Sequence, residues 1–192
     1  MSDSVLYEVR EEVAYITLNR PDKLNAMDDD LLAGVAQALA QASADTQAKV
    51  VVMRGAGRVF CAGGDVHDMP KQRTEADYRA TRLPIEQNIA QQVRCLGKPL
   101  IAQVHGAAMG GGCVLAALCD VRVATPDCKF GLPEVRFGTV ASLGGPASLV
   151  WGARLNCCIW GTLSMGPVPW RWAWSTVWYR LKIWPTRCMP WL

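Results

Sequence analysis

The sequence predicts a layered α/β domain with parallel strand pairing, in which two strands and a helix form the repeating unit. Short apolar runs recur at 5–9, 13–18, 50–53 and 100–104. Stretches with apolar residues at helical spacing separate them, and strands that alternate with helices pair in parallel. With 192 residues, 51% of them hydrophobic, the chain can bury one ordinary core.

The amino end reads as a β-hairpin. Apolar positions alternate in Val5-Leu6-Tyr7-Glu8-Val9 and in Val13-Ala14-Tyr15-Ile16-Thr17-Leu18, around the turn Arg10-Glu11-Glu12. The loop Asn19-Arg20-Pro21-Asp22-Lys23 follows. Asp28 to Asp30 place N-cap candidates and acidic charge ahead of Leu31, Leu32, Val35, Leu39 and Ala42, which predicts an amphipathic helix to about Ala44. Val50-Val51-Val52-Met53 is a continuous apolar run ended by Arg54-Gly55, the pattern of a strand buried on both faces. The region 68–84, charged and containing Pro70 and Pro84, carries no readable pattern and is expected to line a ligand pocket. Ile85, Ile89 and Val93 mark a second helix, stopped by Gly97-Lys98-Pro99. Leu100-Ile101-Ala102-Gln103-Val104 is the next strand, and 106–118 reads as a turn into a buried helix. Val121-Arg122-Val123-Ala124 and Lys129-Phe130 suggest two further short strands.

Eight cysteines are scattered without metal-ligand spacing, and several, such as Cys113 and Cys119, sit inside apolar runs. They read as reduced structural thiols, with no metal site. The start, Met1-Ser2-Asp3-Ser4, has no basic region ahead of an apolar run, and no stretch reaches the roughly 18 apolar residues that span a bilayer. The expectation is a soluble, cytoplasmic protein.

The net charge of +3 averages two unlike parts. Met1 to Glu134 holds 17 acidic and 14 basic residues, whereas from Val135 onward there are six basic residues and no acidic one. All eight tryptophans lie at or beyond Trp151. We therefore divide the chain into a core, 1–154, and an atypical tryptophan-rich basic tail, 155–192, that is not an independent domain. A nucleic-acid surface and a membrane-lying helix fit the tail poorly, because its basic residues are dispersed and Pro167, Pro169, Pro185 and Pro190 interrupt any long helix. Neither nucleic acid nor a membrane is expected as a partner. The codons offer another origin. Trp172-Ala173-Trp174-Ser175-Thr176 requires TGG GCN TGG TCN ACN for a TCN serine, and one base earlier this can spell Met-Gly-Leu-Val-Asp. We read the tail as translated out of frame from near Leu155, which resequencing the DNA around that codon tests.

Three segments carry the chemistry. In FCAGGD, 60–65, Gly63 and Gly64 have no side chains to block a ligand, so the Gly64 N–H can point into a site, although for the pair taken alone a tight turn without a ligand is the favoured reading. In HGAAMGGGCVLAALCD, 105–120, Gly110-Gly111-Gly112 opens an apolar helix whose amino end presents unpaired N–H groups and partial positive charge. Close packing of helix on strand also uses glycine there. Together, the N–H groups of Gly64 and Gly111 have the makings of an oxyanion hole. In FGLPE, 130–134, Pro133 precedes Glu134, which taken alone reads as a solvated loop glutamate; combined with an oxyanion hole and beside an apolar pocket, its carboxylate would have its pKa raised and serve as general acid or base. His105 reads as a packed strand-end histidine, Asp120 as fixing a helix terminus or local turn, and Asp65 as a loop hydrogen-bonding residue.

The segments ITLNRPDKLNAM (16–27), VFCAGGDV (59–66), KPLIAQVHGAAMGGGCVLAALCDVRVA (98–124) and FGLPEVRFGTV (130–140) resemble those of the enoyl-CoA hydratase/isomerase, or crotonase, family. The likeness runs from about Val5 to about Arg154. It implies a crotonase-like α/β spiral of repeated strand-strand-helix units, with the C-terminal helical part atypical or missing, and an acyl-CoA thioester as substrate, coenzyme A arriving as part of it and no separate cofactor being needed. It places Gly64 and Gly111 on the two oxyanion-hole positions and Glu134 on the second acid/base glutamate. Lys23, Leu24 and Ala26, with Ala62, Gly64, Asp65, Val66, His67 and Gly111, fall on the stretches that hold the CoA ester. It further implies a homotrimer or hexamer where the C-terminal part is intact.

One departure bears on the reaction. Hydratases of the family carry their first glutamate two residues after the glycine triplet, and here that place is Val114. Valine cannot orient or deprotonate water. The resemblance then favours an isomerase that shuttles one proton through an enolate over a hydratase. A catalytically silent chain, or a noncatalytic CoA-ester binder, is the competing expectation.

Overall fold

A computed structural model describes residues 3–65 and 75–133, together with two short strands in the tail. β1 (Val5–Arg10) and β2 (Val13–Leu18) form the expected hairpin. Its two-residue turn places Glu11 and Glu12 at φ 48° and 65°, the left-handed pair that matches the twist of antiparallel strands. β2 then pairs in parallel with β3 (Val50–Gly55), β3 with β4 (Leu100–Val104), and β4 with β6 (Val121–Ala124). The sheet order is β1-β2-β3-β4-β6.

After each parallel strand the chain turns into a second layer before its helix. Met27 bridges Gly64, and Cys61 bridges Ala108 within β5 (Ala107–Met109). β5 in turn pairs in parallel with β7 (Lys129–Gly131). The second layer therefore runs 27, 61–64, 107–109, 129–131 in the order of the first, and α1 (Asp29–Ala44), α2 (Glu75–Arg94) and α3 (Gly111–Leu118) follow its first three members. This is the spiral of strand-strand-helix units that the sequence predicts. β8 (Thr162–Leu163) and β9 (Tyr179–Lys182) from the tail extend the second layer, with β9 antiparallel to β7.

Asp28 caps α1 by accepting the Leu31 N–H at 2.8 Å, and Leu31, Leu32, Val35, Leu39 and Ala42 all face the core. At the other end, Lys98 Nζ donates to the carbonyls of Ala42 and Asp45, satisfying orphan acceptors with a cation at the negative end of the helix dipole.

The structure corrects four sequence readings. β3 is not buried on both faces: Val51 and Met53 are inaccessible, but Val50 and Val52 are half-buried. Its second face is covered by polar groups, Arg54 lying 4.8 Å over the Tyr15 ring and bonded to Glu8 at 2.9 Å. Residues 75–84 are helix, with Pro84 inside α2. Proline costs a helix one hydrogen bond, and hydrogen bonds from Tyr78 and Arg82 to Glu86 tie the turns across it. The segment 106–118 contains a strand, β5, before its helix. Asp120 does not serve a local turn; its Oδ2 accepts the Leu100 N–H at 2.8 Å and locks the start of β4 to β6.

Cys61, Cys95, Cys113, Cys119 and Cys128 are free thiols. Burial pushes the thiols of Cys61 and Cys119 up to about 12 from 9.0. The unfolded thiol therefore ionises first on raising pH, so the stability these groups contribute is present below pH 9 and is lost between about 9 and 12. We expect the urea midpoint in reductant to fall between pH 9 and 11, and to fall less in a Cys119→Ala variant. Equal slopes in the two proteins would remove Cys119 from the explanation.

Candidate functional site

Three backbone segments lie side by side. Along one edge of 61–65, Ala62 N–H donates to Leu24 at 3.0 Å, Met27 N–H to Gly63 at 2.7 Å, and Asp65 N–H to Met27 at 3.0 Å. Along the other edge, Cys61 N–H donates to Ala107 at 3.1 Å and Met109 N–H to Cys61 at 2.9 Å. The 61–64 segment is thus sandwiched between the 24–27 loop and β5.

Gly63 has φ +96°, and a Cβ there would meet the Met109 carbonyl oxygen at 2.8 Å. Its own carbonyl points at Met27. A trans peptide directs the following N–H to the opposite side, so the Gly64 N–H faces away from Met27, toward the side on which Met109 and Gly110 pass. Gly111 is the first residue of α3, where an N–H has no partner within the helix. Gly110, at φ +52°, turns the chain from β5 into that helix and donates its N–H to Gly131 at 2.8 Å. Gly112 explains the third glycine: a Cβ would lie 2.7 Å from the Cys61 carbonyl oxygen. Gly63 and Gly112 are buried packing positions, whereas Gly64 and Gly111 between them are partly accessible.

The loop that flanks this edge is held from below. Leu24 and Asn25 both occupy the left-handed region, at φ 53° and 52°. Asn25 is wholly buried; its Oδ1 accepts the Arg20 N–H at 2.9 Å while Nδ2 donates to Ala56, Val59 and Phe60 at 2.8, 2.9 and 3.1 Å. The Arg20 guanidinium spans Asp28 at 2.8 Å and Asp65 at 3.3 Å. Asp65 is 6% exposed and so acts as an ion-pair partner that closes the loop, in keeping with the hydrogen-bonding role expected of it. Lys23 is exposed, and Leu24, Ala26 and Ala62 are half-buried along the same edge. His105 Nε2 lies 2.9 Å from the Gly57 carbonyl oxygen, a hydrogen bond just past the end of β4.

Of the residues expected in the site, Gly64, Gly111, Ala62, Asp65, Lys23, Leu24 and Ala26 are thus gathered on adjoining segments. Val66, His67 and Glu134 lie outside the described residues. Gly131, bonded to Gly110, stands three positions before Glu134. Val114 has no exposed surface and belongs to the core. Among the described residues, no group of three or more His, Cys, Asp or Glu side chains could hold a metal ion, and no helix is long and apolar enough to cross a membrane. Sequence reasoning missed Arg20, which ties Asp28 to Asp65, and Arg82, which donates to the Met27 carbonyl; the left-handed tolerance of asparagine after Pro-Asp-Lys-Leu was the signal for Asn25.

The enoyl-CoA hydratase/isomerase family model matches residues 8–151. The chain belongs to that family. A 2,3-dehydroadipyl-CoA hydratase of Escherichia coli (strain K12) is 39% identical over 141 residues, 73% of this chain and 54% of the relative. An (E)-benzylidenesuccinyl-CoA hydratase of Thauera aromatica is 39% identical over 146 residues, 76% of this chain and 56% of the relative. Among solved structures, an enoyl-CoA hydratase/isomerase from Mycobacterium paratuberculosis superposes with a TM-score of 0.73 at 35% identity, covering 78% of this chain and 60% of that one. The enoyl-CoA hydratase/isomerase fold is therefore shared, while the chain spans about half the length of the curated relatives it matches.

Proposed function

We propose that the protein processes an acyl-CoA thioester by enolate chemistry. The thioester carbonyl oxygen sits between the Gly64 and Gly111 N–H groups, and Glu134 moves the proton at an adjacent carbon. The observation that carries this reading is that two partly accessible glycines, each beside a glycine that packing requires, stand on segments that the close approach of Gly63 to Met109 brings together. Two fixed N–H donors stabilise an oxyanion more than a neutral carbonyl, because charge accumulates on that oxygen only as the enolate forms. Coenzyme A arrives with the substrate, and the exposed Lys23 and the Leu24–Ala26 edge would meet it.

Isomerase-type chemistry is favoured. The Glu134 carboxylate takes a proton from C2 of a 3-enoyl thioester, the electrons move into a dienolate held by both N–H groups, and the same proton returns to C4 to give the 2-enoyl thioester. Nothing is added or lost. Hydration needs a second group to hold and activate water, and the buried Val114 has neither donor nor acceptor to offer it.

A silent chain is the second reading, favoured by the abrupt change of composition that places all eight tryptophans at or beyond Trp151. Mixing the protein with 3-enoyl-CoA and 2-enoyl-CoA in deuterated water distinguishes the cases. Double-bond migration, with protium carried from C2 to C4 except where the Glu134 proton exchanges with solvent before its return, supports isomerisation, and formation of the 3-hydroxyacyl product supports hydration. CoA-ester binding without either supports the silent reading. An enzyme assembled as a trimer or hexamer also elutes accordingly.

A further inference from the structure

α2 carries an ion pair with almost no contact with water. Arg82 is 8% exposed and Glu86 4%. Arg82 Nε donates to Glu86 Oε1 at 3.0 Å, and the Tyr78 hydroxyl donates to Glu86 Oε2 at 2.9 Å. One further guanidinium nitrogen, Nη2, donates to the Met27 carbonyl at 2.9 Å, and Nη1 stands 3.7 Å from Asp29. Removing such charges from water costs as much as their attraction returns, and apolar residues of the same volume often serve stability equally well. Stability alone therefore does not account for the pair.

Its far end does suggest a purpose. Met27 holds the peptides on both sides of Gly64: its N–H grips the carbonyl of the Gly63–Gly64 peptide at 2.7 Å, and its carbonyl takes the N–H of the Gly64–Asp65 peptide at 3.0 Å. The orientation of Met27 therefore sets the direction of the Gly64 N–H, through the rigid plane of one peptide. Arg82 occupies the remaining lone pair of that carbonyl.

We propose that Arg82, held by Glu86 and Tyr78, is a positioning residue that aims the Gly64 N–H through the backbone of Met27. The inference rests on the reading of Gly64 as a donor to the thioester oxygen. It assigns to α2 a role in the reaction that needs no contact with substrate, since Arg82 acts at one remove.

The test uses acetoacetyl-CoA, a thioester that ionises to an enolate with its own near-ultraviolet absorbance. In the full chain, the unsubstituted protein should lower the pKa of the bound ester. Arg82→Met should raise that bound pKa by about one unit, a tenfold loss of enolate stabilisation. It should also lower kcat by about 10- to 10²-fold with little change in KM, the pattern of an interaction used in the transition state. Arg82→Lys, which keeps the charge and a donor, should restore much of both. Where Arg82→Met does not fold, Tyr78→Phe carries the test and should shift the enolate pKa in the same direction by less. An unchanged enolate pKa in these variants would overturn the positioning role while leaving Gly64 in place. A parent protein that binds the ester without lowering its pKa would instead overturn the enolate reading itself.

Discussion

Replacement of Glu134 by glutamine is expected to lower turnover of an enoyl-CoA by about 10²- to 10⁴-fold while CoA-ester binding stays close to that of the parent. Glutamine keeps the size of the side chain and its ability to hydrogen-bond but cannot accept and return a proton. The loss should therefore appear in kcat, with the dissociation constant of a nonreactive acyl-CoA nearly unchanged. The comparison with Arg82→Met is informative. Both variants lose kcat, but Glu134→Gln should leave the pKa of bound acetoacetyl-CoA lowered, since the two glycine N–H groups stay in position. Full activity in Glu134→Gln would remove Glu134 from the mechanism.

The largest effect on stability is expected from Asn25→Asp. The substitution preserves shape and the acceptor for the Arg20 N–H, but a carboxylate donates nothing. Three carbonyls, of Ala56, Val59 and Phe60, then lose the Nδ2 donor they share at 2.8–3.1 Å and face a negative oxygen instead. The site has no exposed surface, so water does not compensate. A loss of about 3 kcal/mol or more follows from the unsatisfied groups alone, which for a domain of this size lowers Tm by roughly 6–12 °C. Thermal unfolding of the two proteins measures it directly, and a change under 1 °C would show that the loop does not depend on Asn25.

Much of the fold was legible in local pattern. Alternation in 5–9 and 13–18 is the hairpin, Asp28 is the cap of α1, and the glycine pairs mark places where the backbone must pass another backbone closely. The spiral of strand-strand-helix units also followed, although its second layer was not, because the members at 27, 61–64 and 107–109 are too short to show a period. α2 was shortened in the sequence reading at Pro84, since proline ordinarily ends a helix and the side-chain bonds across it join residues whose partnership a one-dimensional pattern does not reveal. Val50 and Val52 read as core because an apolar residue is written identically whether a helix or an Arg54–Tyr15 stack covers it.

What the sequence by itself determined is residue type: Gly64 and Gly111 carry no side chain, Glu134 carries a titratable carboxylate, and Val114 stands two residues after the glycine triplet. Those are properties of residue type and short spacing, and they do not depend on what lies nearby. The tertiary structure alone decided direction. The Gly64 N–H faces the Met109–Gly110 side because Met27 holds the other end of its peptide, and Met27 is held by Arg82 from a helix 55 positions away in the chain. Arg20 with Asp65, 45 positions apart, and Asn25 with three carbonyls belong to the same class. The Arg82 and Asn25 contacts end on backbone oxygens, which every residue possesses, and the Arg20–Asp65 pair joins two charges that no short spacing links, so all of them arise only when folding brings distant segments together.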